Sequence, residues 1–291
     1  MSAMRSMLPD KDVRVRKIRI PTPHGSIPAL ILSPRTAPAD ATGVLWIHGG
    51  GYIAGMKEMV HMSRAVDLVK KFGAVVLSPG YRLAPLSPYP AALDDCYAAL
   101  IYLKENAAAL GVRSDQLVVG GESAGGGLCA AVCIRARDSC EVNVAFQMPL
   151  YPMLDDRDTE SSRDNHGRVW NTRRNHLAWR LYLRGTDRAQ LTPYAAPARL
   201  EDFSGLPPAY SFVGDGEPFY AETINYFEHL RDAGIPAELD VYHTDMHAFD
   251  MMQPDSALAV RAAEAFNHQF ELAQKQYFAP QPGDGRNSND T

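Results

Sequence analysis

No apolar run in the 291 residues approaches the roughly 20 needed to cross a bilayer. The opening stretch MSAMRSMLPDKDVRVRK lacks the apolar centre of a signal peptide, so the expected location is the cytoplasm, with no membrane span. Basic charge is not in excess. Against 29 Lys and Arg stand 34 Asp and Glu, a formal net charge of −5, which argues against a nucleic-acid partner. Cysteine is scarce as well: four residues make no disulfide scaffold, and all four read as free thiols. No internal repeat is present.

What is present is a rhythm of short apolar runs and helical patterns. The runs fall at 13–20, 28–32, 43–47, 74–78, 116–120, 144–150, 209–214 and 237–242. The first alternates apolar with polar, as an exposed antiparallel edge does; the later ones are continuous, as strands covered on both faces are. Helix-period segments lie between them at about 61–72, 92–109, 124–138, 220–233 and 255–274. The expected class is therefore α/β, a mostly parallel central sheet of about eight strands flanked by helices, in one domain over residues 1–279. Residues 155–206 break the rhythm. They are polar, carry Trp170 and Trp179, and set Trp179, Tyr182 and Leu183 at helical spacing, which makes an inserted amphipathic helix, either packed on the surface or lying over a pocket. From Pro280 onward PQPGDGRNSNDT has the composition of an unstructured tail.

After the run QLVVG comes GESAGGG, in which Gly121-Glu122-Ser123-Ala124-Gly125 fits Gly-x-Ser-x-Gly. A sharp strand-to-helix turn has no room for side chains two positions either side of its serine, and it lifts the hydroxyl above the sheet. The stretch lacks Gly-Lys-Ser/Thr, which excludes a phosphate-binding P-loop. Upstream, GVLWIHGGGYIAG puts three bare glycines directly after a strand. Acyl transfer generates an oxyanion that preorganised N–H groups must meet; the candidates are Gly50, Gly51 and Ala124. The rival reading of these glycines as a dinucleotide fingerprint fails, because the next strand ends at Ser78-Pro79 rather than at an acidic residue.

A serine on such a turn needs an acid and then a histidine, in that chain order, after the last two strands. His247 is the expected base, with His243 as competitor. Their i, i+4 spacing suggests a metal only on a helix, and here it follows a strand, so no metal is expected. His48 is expected to hold the glycine loop by hydrogen bonds. For the acid, Glu217 before Pro218 is favoured, with Asp215 as the alternative. Tyr52, directly after the glycines, is expected to wall the pocket.

Together HGGGY (48–52), YRLAP (81–85) with YPAALDD (89–95), GESAGG (121–126), SGLPPAY (204–210), EPF (217–219) with HLRDAGIPAELDVY (229–242), and HAF (247–249) resemble the hormone-sensitive-lipase-like branch of the α/β-hydrolases, its bacterial carboxylesterases in particular. The resemblance spans roughly residues 43 to 275. It implies a Ser123, His247 and acid triad, an oxyanion hole from Gly50, Gly51 and Ala124, and a cap made partly from 155–206. It also implies hydrolysis of short- to medium-chain carboxylic esters without cofactor, and a possible homodimer through a sheet edge. Three departures stand out: Glu217 where the family usually has Asp, Leu86 where it often has Glu, and almost no room for the N-terminal cap helices. The last predicts a more open pocket than is usual. Amide hydrolysis, acyl transfer to an alcohol, or ligand binding without turnover would use the same scaffold. Activity should fall on the acid side as His247 protonates.

Overall fold

In the computed structural model, which describes residues 7–36 and 39–283, all eight apolar runs are strands of one sheet. They are β1 (Val13–Thr22), β2 (Gly25–Pro34), β3 (Ala41–Ile47), β4 (Val75–Pro79), β5 (Val112–Glu122), β6 (Phe146–Leu150), β7 (Ala209–Gly214) and β8 (Ala237–Tyr242). Their order is β1-β2-β4-β3-β5-β6-β7-β8. β1 is the antiparallel edge that its alternation predicts, and β2 also runs antiparallel, to both β1 and β4. The continuous apolar run of β2 records burial on two faces and carries no information about direction. From β4 to β8 every pairing is parallel.

The helices are α1 (Ala65–Phe72), α2 (Ala91–Glu105), α3 (Ala107–Leu110), α4 (Ala124–Ser139), α5 (Thr172–Tyr182), α6 (Tyr220–Asp232), α7 (Phe249–Met252) and α8 (Ala257–Gln276). The two-residue period of a strand divides the core between them. Leu45 and Ile47 of β3 join Leu93 and Leu100 of α2 and Leu128 of α4 on one face. Val44 and Trp46 join Leu68 of α1 and Phe266 and Phe270 of α8 on the other. Full burial of each such side chain is worth about 1.5–3 kcal/mol, so both faces contribute and the sheet has no wet side at its centre. Individual helices end where the chain can leave them: α1 stops at Gly73, whose φ of 68° closes the last turn, and α8 starts at Ser256, whose hydroxyl accepts from the Ala259 N–H at 3.2 Å.

α4 carries three glycines near its start, each costing about 1 kcal/mol of helix propensity relative to alanine. Close packing explains them. A Cβ on Gly126 would lie 3.0 Å from the Leu150 carbonyl oxygen, and one on Gly127 would lie 2.1 Å from that of Met153. Only bare backbone lets the helix settle this near the β6 exit.

The insertion 155–206 contains α5 and two 3-10 turns. As its spacing predicts, α5 turns Trp179 and Tyr182 inward, with Leu183 at its end buried beside them, and Asn171 caps it by accepting from the Arg174 N–H at 3.1 Å. Pro280 and Gln281, assigned on composition to an unstructured tail, are held. The Gln281 amide donates to Ser114 and Asn143 carbonyls at 2.9 Å each, its oxygen accepts from the Asn143 N–H at 3.0 Å, and Pro280 accepts from the Asn143 side chain. The side-chain amides of Gln281 and Asn143 supply the order that composition does not register; residues 284–291 lie outside the described residues. No helix among the described residues is long and apolar enough to cross a membrane.

Candidate active site

In a parallel sheet, groups that act on a ligand gather beyond the carboxyl ends of the strands. Here the ends of β3, β5, β7 and β8 lead into the glycine loop, Ser123, the acidic loop and the histidine loop. Ser123 occupies φ 59°, ψ −120°, a region that side-chain-bearing residues rarely adopt. The strain is held in place by its neighbours. A Cβ on Gly121 would lie 2.5 Å from the Ile47 carbonyl oxygen, and one on Gly125 would lie 2.1 Å from the same atom. The two glycines of Gly-x-Ser-x-Gly thus let β3 press against the turn from beneath.

The Ser123 hydroxyl faces His247 Nε2 at 2.9 Å. His247 Nδ1 faces Glu217 Oε2, and Glu217 Oε1 accepts from the Gly214 N–H at 2.8 Å. All three side chains are buried, Glu217 completely. The rings of Tyr151 and Phe219 meet the imidazole edge to face, with centroids 5.1 and 5.0 Å away, and fix its plane. The two alternatives from the sequence pair with each other instead. His243 Nδ1 meets Asp215 Oδ2 at 2.8 Å on an exposed surface, and Asp215 also accepts from the Thr244 N–H. Asp215 draws the exposed His243 imidazole pKa upward and is itself drawn downward by it. The two histidines therefore do not converge on a shared ligand.

Gly50 and Gly51 have φ of 118° and 61°, and among the described residues neither N–H donates a hydrogen bond. The Gly50 carbonyl instead accepts from Ile53 and Ala54, which turns the loop back on itself. His48 holds that loop. Its Nδ1–H donates to the Gly49 carbonyl at 2.8 Å, its ring stacks on Tyr81 at 4.2 Å, and the Tyr81 hydroxyl donates to the His48 carbonyl. Burial lowers its pKa to about 4, so the ring stays neutral at ordinary pH. Tyr52 differs from expectation. It is buried rather than walling a pocket: its ring stacks on Tyr182 of α5 at 4.1 Å and its hydroxyl donates to the Met153 carbonyl at 2.8 Å. Trp170 takes the place beside the glycines.

Three buried groups near the site were invisible in the sequence. Arg64 reaches Asp250, three residues after His247, across 186 positions. Glu222 sits in the first turn of α6, where a carboxylate reads as an ordinary exposed residue, yet its Oε1 accepts from the Leu154 N–H at 2.6 Å and burial pushes its pKa well up. Glu122, beside the serine, accepts from Trp46 Nε1 at 2.9 Å, and burial raises its carboxyl to about 8. A folded-state value above the unfolded one means stability present below about 4.5 and lost as the pH rises through 8. Glu122→Gln keeps the indole bond and removes the titration. Between pH 6 and 8 it should flatten a loss of roughly 2 kcal/mol in unfolding free energy, read by urea titration; an unchanged slope would refute the assignment.

A hydroxyl hydrogen-bonded to an imidazole, itself backed by a buried carboxylate, beside bare N–H groups at a glycine loop, is an arrangement able to attack a carbonyl carbon. Fold and site together define an α/β-hydrolase. Residues 44–251 match the family described as alpha/beta hydrolase fold. Esterase LipI of Mycobacterium tuberculosis is 34% identical over 242 residues, 82% of this chain and 75% of its own. Carboxylesterase NlhH of the same species is 34% identical over 231 residues, 77% and 71% of the two chains. Among solved structures, bacterial heroin esterase superposes with a TM-score of 0.86 at 31% identity, covering 90% of this chain and 85% of its own. Esterase LipW from Mycobacterium marinum gives 0.84 at 32%, over 90% and 82%. The chain belongs to the alpha/beta hydrolase fold family, within its hormone-sensitive-lipase-like carboxylesterase branch.

Proposed function

We propose that this carboxylic-ester hydrolase works through an acyl-enzyme on Ser123, with His247 as base, Glu217 as the acid behind it, and the N–H groups of Gly50, Gly51 and Ala124 as the oxyanion hole. The observation that carries the reading is the unbroken line from the Ser123 hydroxyl to His247 Nε2 at 2.9 Å, and from His247 Nδ1 to a carboxylate with no solvent exposure. The serine oxygen bonds to the ester carbonyl carbon as its proton passes to Nε2. The oxyanion forms against the N–H groups, the C–O bond to the alcohol breaks, and the alcohol leaves with the proton from Nε2. Water then attacks the acyl carbon by the same route, its proton going to Nε2 and from there to Ser123, and releases the acid.

The substrates are short- to medium-chain acyl esters, with the 155–206 insertion as the cap over them. The described N-terminal residues lie elsewhere, with Asp10 paired to Lys70 of α1 at 2.7 Å, which supports a cap drawn from the insertion. Four free thiols, three of them buried, suit a reducing cytoplasm. The exposed outer edge of β8 is the surface offered for pairing two copies. The deciding experiment mixes the protein with p-nitrophenyl acetate and, separately, with a fluorophosphonate, followed by peptide mass spectrometry. One label per chain, on Ser123, with loss of ester turnover is expected. Turnover that persists after stoichiometric labelling, or a label on another residue, refutes the assignment.

A further inference from the structure

The three glycines that suggest an oxyanion loop are bare for different reasons. A Cβ on Gly49 would lie 2.9 Å from the Glu122 carbonyl oxygen, and one on Gly50 would lie 2.2 Å from that of Ala54. At Gly51 the obstacle is no part of the local backbone. It is the indole of Trp170, 119 residues away in the chain, whose Cη2, Cζ2 and Cζ3 would lie 2.2, 2.8 and 3.2 Å from the added atom. The six-membered ring of a cap residue therefore rests on the Cα of a residue whose N–H is assigned to the oxyanion.

That ring does not swing freely. Trp170 Nε1 donates to Asn175 Oδ1 of α5 at 3.3 Å, and its ring packs against Phe219 with centroids 6.4 Å apart. The segment before it is tied to the loop that carries Glu217. Asn165 Nδ2 donates to the Gly216 carbonyl at 3.1 Å, and the Ser161 hydroxyl donates to that of Pro218 at 2.8 Å and accepts from the Ala221 N–H at 3.0 Å. Gly167 is pressed by the same segment, since a Cβ there would meet the Trp170 carbonyl oxygen at 2.4 Å. The indole is thus a fixed surface on the glycine loop, half-buried and in register with the triad.

In the tetrahedral intermediate the oxyanion faces the N–H groups and the departing alcohol oxygen must face His247 Nε2 to receive its proton. That leaves the acyl substituent a direction away from the imidazole, and the indole on Gly51 lies beside the N–H groups from which that direction starts. We infer that Trp170 is the end wall of the acyl site and sets the longest acyl chain the enzyme accepts. The inference rests on the serine-hydrolase reading above and adds to it a residue that determines specificity.

The test compares wild type, Trp170→Ala and Trp170→Leu on p-nitrophenyl esters from acetate to decanoate, and on acetates of alcohols of increasing bulk. Truncation to alanine should raise the decanoate-to-acetate ratio of kcat/KM by about tenfold or more, since a hydrophobic pocket discriminates each methylene by about that factor. The Trp170→Leu variant should give a smaller rise, and the alcohol series should keep its order. Circular dichroism and melting curves identify a variant that has failed to fold; Trp170→Leu, which keeps more of the volume, then carries the comparison. The inference is overturned if the acyl ratio stays flat, if all esters fall in parallel as for a purely structural residue, or if the alcohol series shifts instead. Ser123→Ala separates this from the reading beneath it: if that variant still turns over esters, the nucleophile assignment has failed, whatever Trp170 does.

Discussion

Glu217→Gln is expected to lower kcat by about 10⁴, the scale on which a triad loses activity when its acid becomes an amide. The geometry says why the change should be so large for so few atoms. Gly214 donates to Glu217 Oε1 at 2.8 Å, so glutamine is held with its oxygen at that N–H and its NH₂ against His247 Nδ1. An NH₂ donor forces Nδ1 to accept, which moves the imidazole proton to Nε2. Nε2–H can then only donate to the Ser123 hydroxyl, and the base has no lone pair for the serine proton. The amide also withdraws the charge that stabilises the imidazolium. Asp215→Asn is the matched control: Asp215 is bound to exposed His243 and touches neither Ser123 nor His247, so its loss should leave kcat/KM for p-nitrophenyl acetate within about threefold. Steady-state rates for both variants, each checked for folding, decide the matter. If only Asp215→Asn abolishes turnover, the acid has been misassigned.

That contrast shows which parts of the site a sequence can disclose. Ser123 was legible because its turn demands small residues at 121 and 125, both of which meet the Ile47 carbonyl. Chain order pointed to the loops after the last two strands, favouring His247 and Glu217 with His243 and Asp215 as alternatives; the contacts set the two pairs apart, His247 with Glu217 and His243 with Asp215. The fold was legible for a similar reason: burial on both faces of the sheet writes continuous apolar runs, and one exposed edge writes an alternating one. The contacts that were not legible join segments far apart whose residue types are ambiguous alone. An arginine at position 64 reads as surface, a glutamate at 222 as a first-turn residue complementing the helix dipole, and a tryptophan at 170 as one more residue of a polar insertion. Each acquires its role only through what lies opposite it. Tyr52 failed in the other direction: adjacency to the glycines suggested a pocket wall, but a φ of 63° and the stack on Tyr182 turn it into the core.

Arg64→Met is expected to destabilise the protein by about 3–5 kcal/mol, the usual consequence of removing one partner of a buried ion pair. Arg64 is a charge in the interior, its side chain 2% exposed, facing an Asp250 side chain with none. Its Nε donates to Asp250 Oδ2 at 2.9 Å, its Nη2 to the Asp250 carbonyl at 3.0 Å, and its Nη1 to Asp67 Oδ2 at 3.2 Å. The Tyr151 hydroxyl donates to Asp250 Oδ1 at 2.9 Å, and the Tyr151 ring packs edge to face on His247. Without the guanidinium, the Asp250 carboxylate keeps one neutral donor from Tyr151 in a medium that solvates charge poorly. Asp250 lies in the first turn of α7, three residues from the imidazole, so relaxation there also moves His247, and kcat should fall together with stability. The double variant Arg64→Met/Asp250→Asn separates charge from packing. Asparagine still accepts from Tyr151 and leaves no buried charge unpaired, so the pair should recover about 2 kcal/mol or more relative to the sum of the single changes. Urea unfolding of the four proteins measures this. A single variant that loses less than about 1 kcal/mol, or a double variant with no recovery, would show that α7 and the histidine loop are anchored by packing alone.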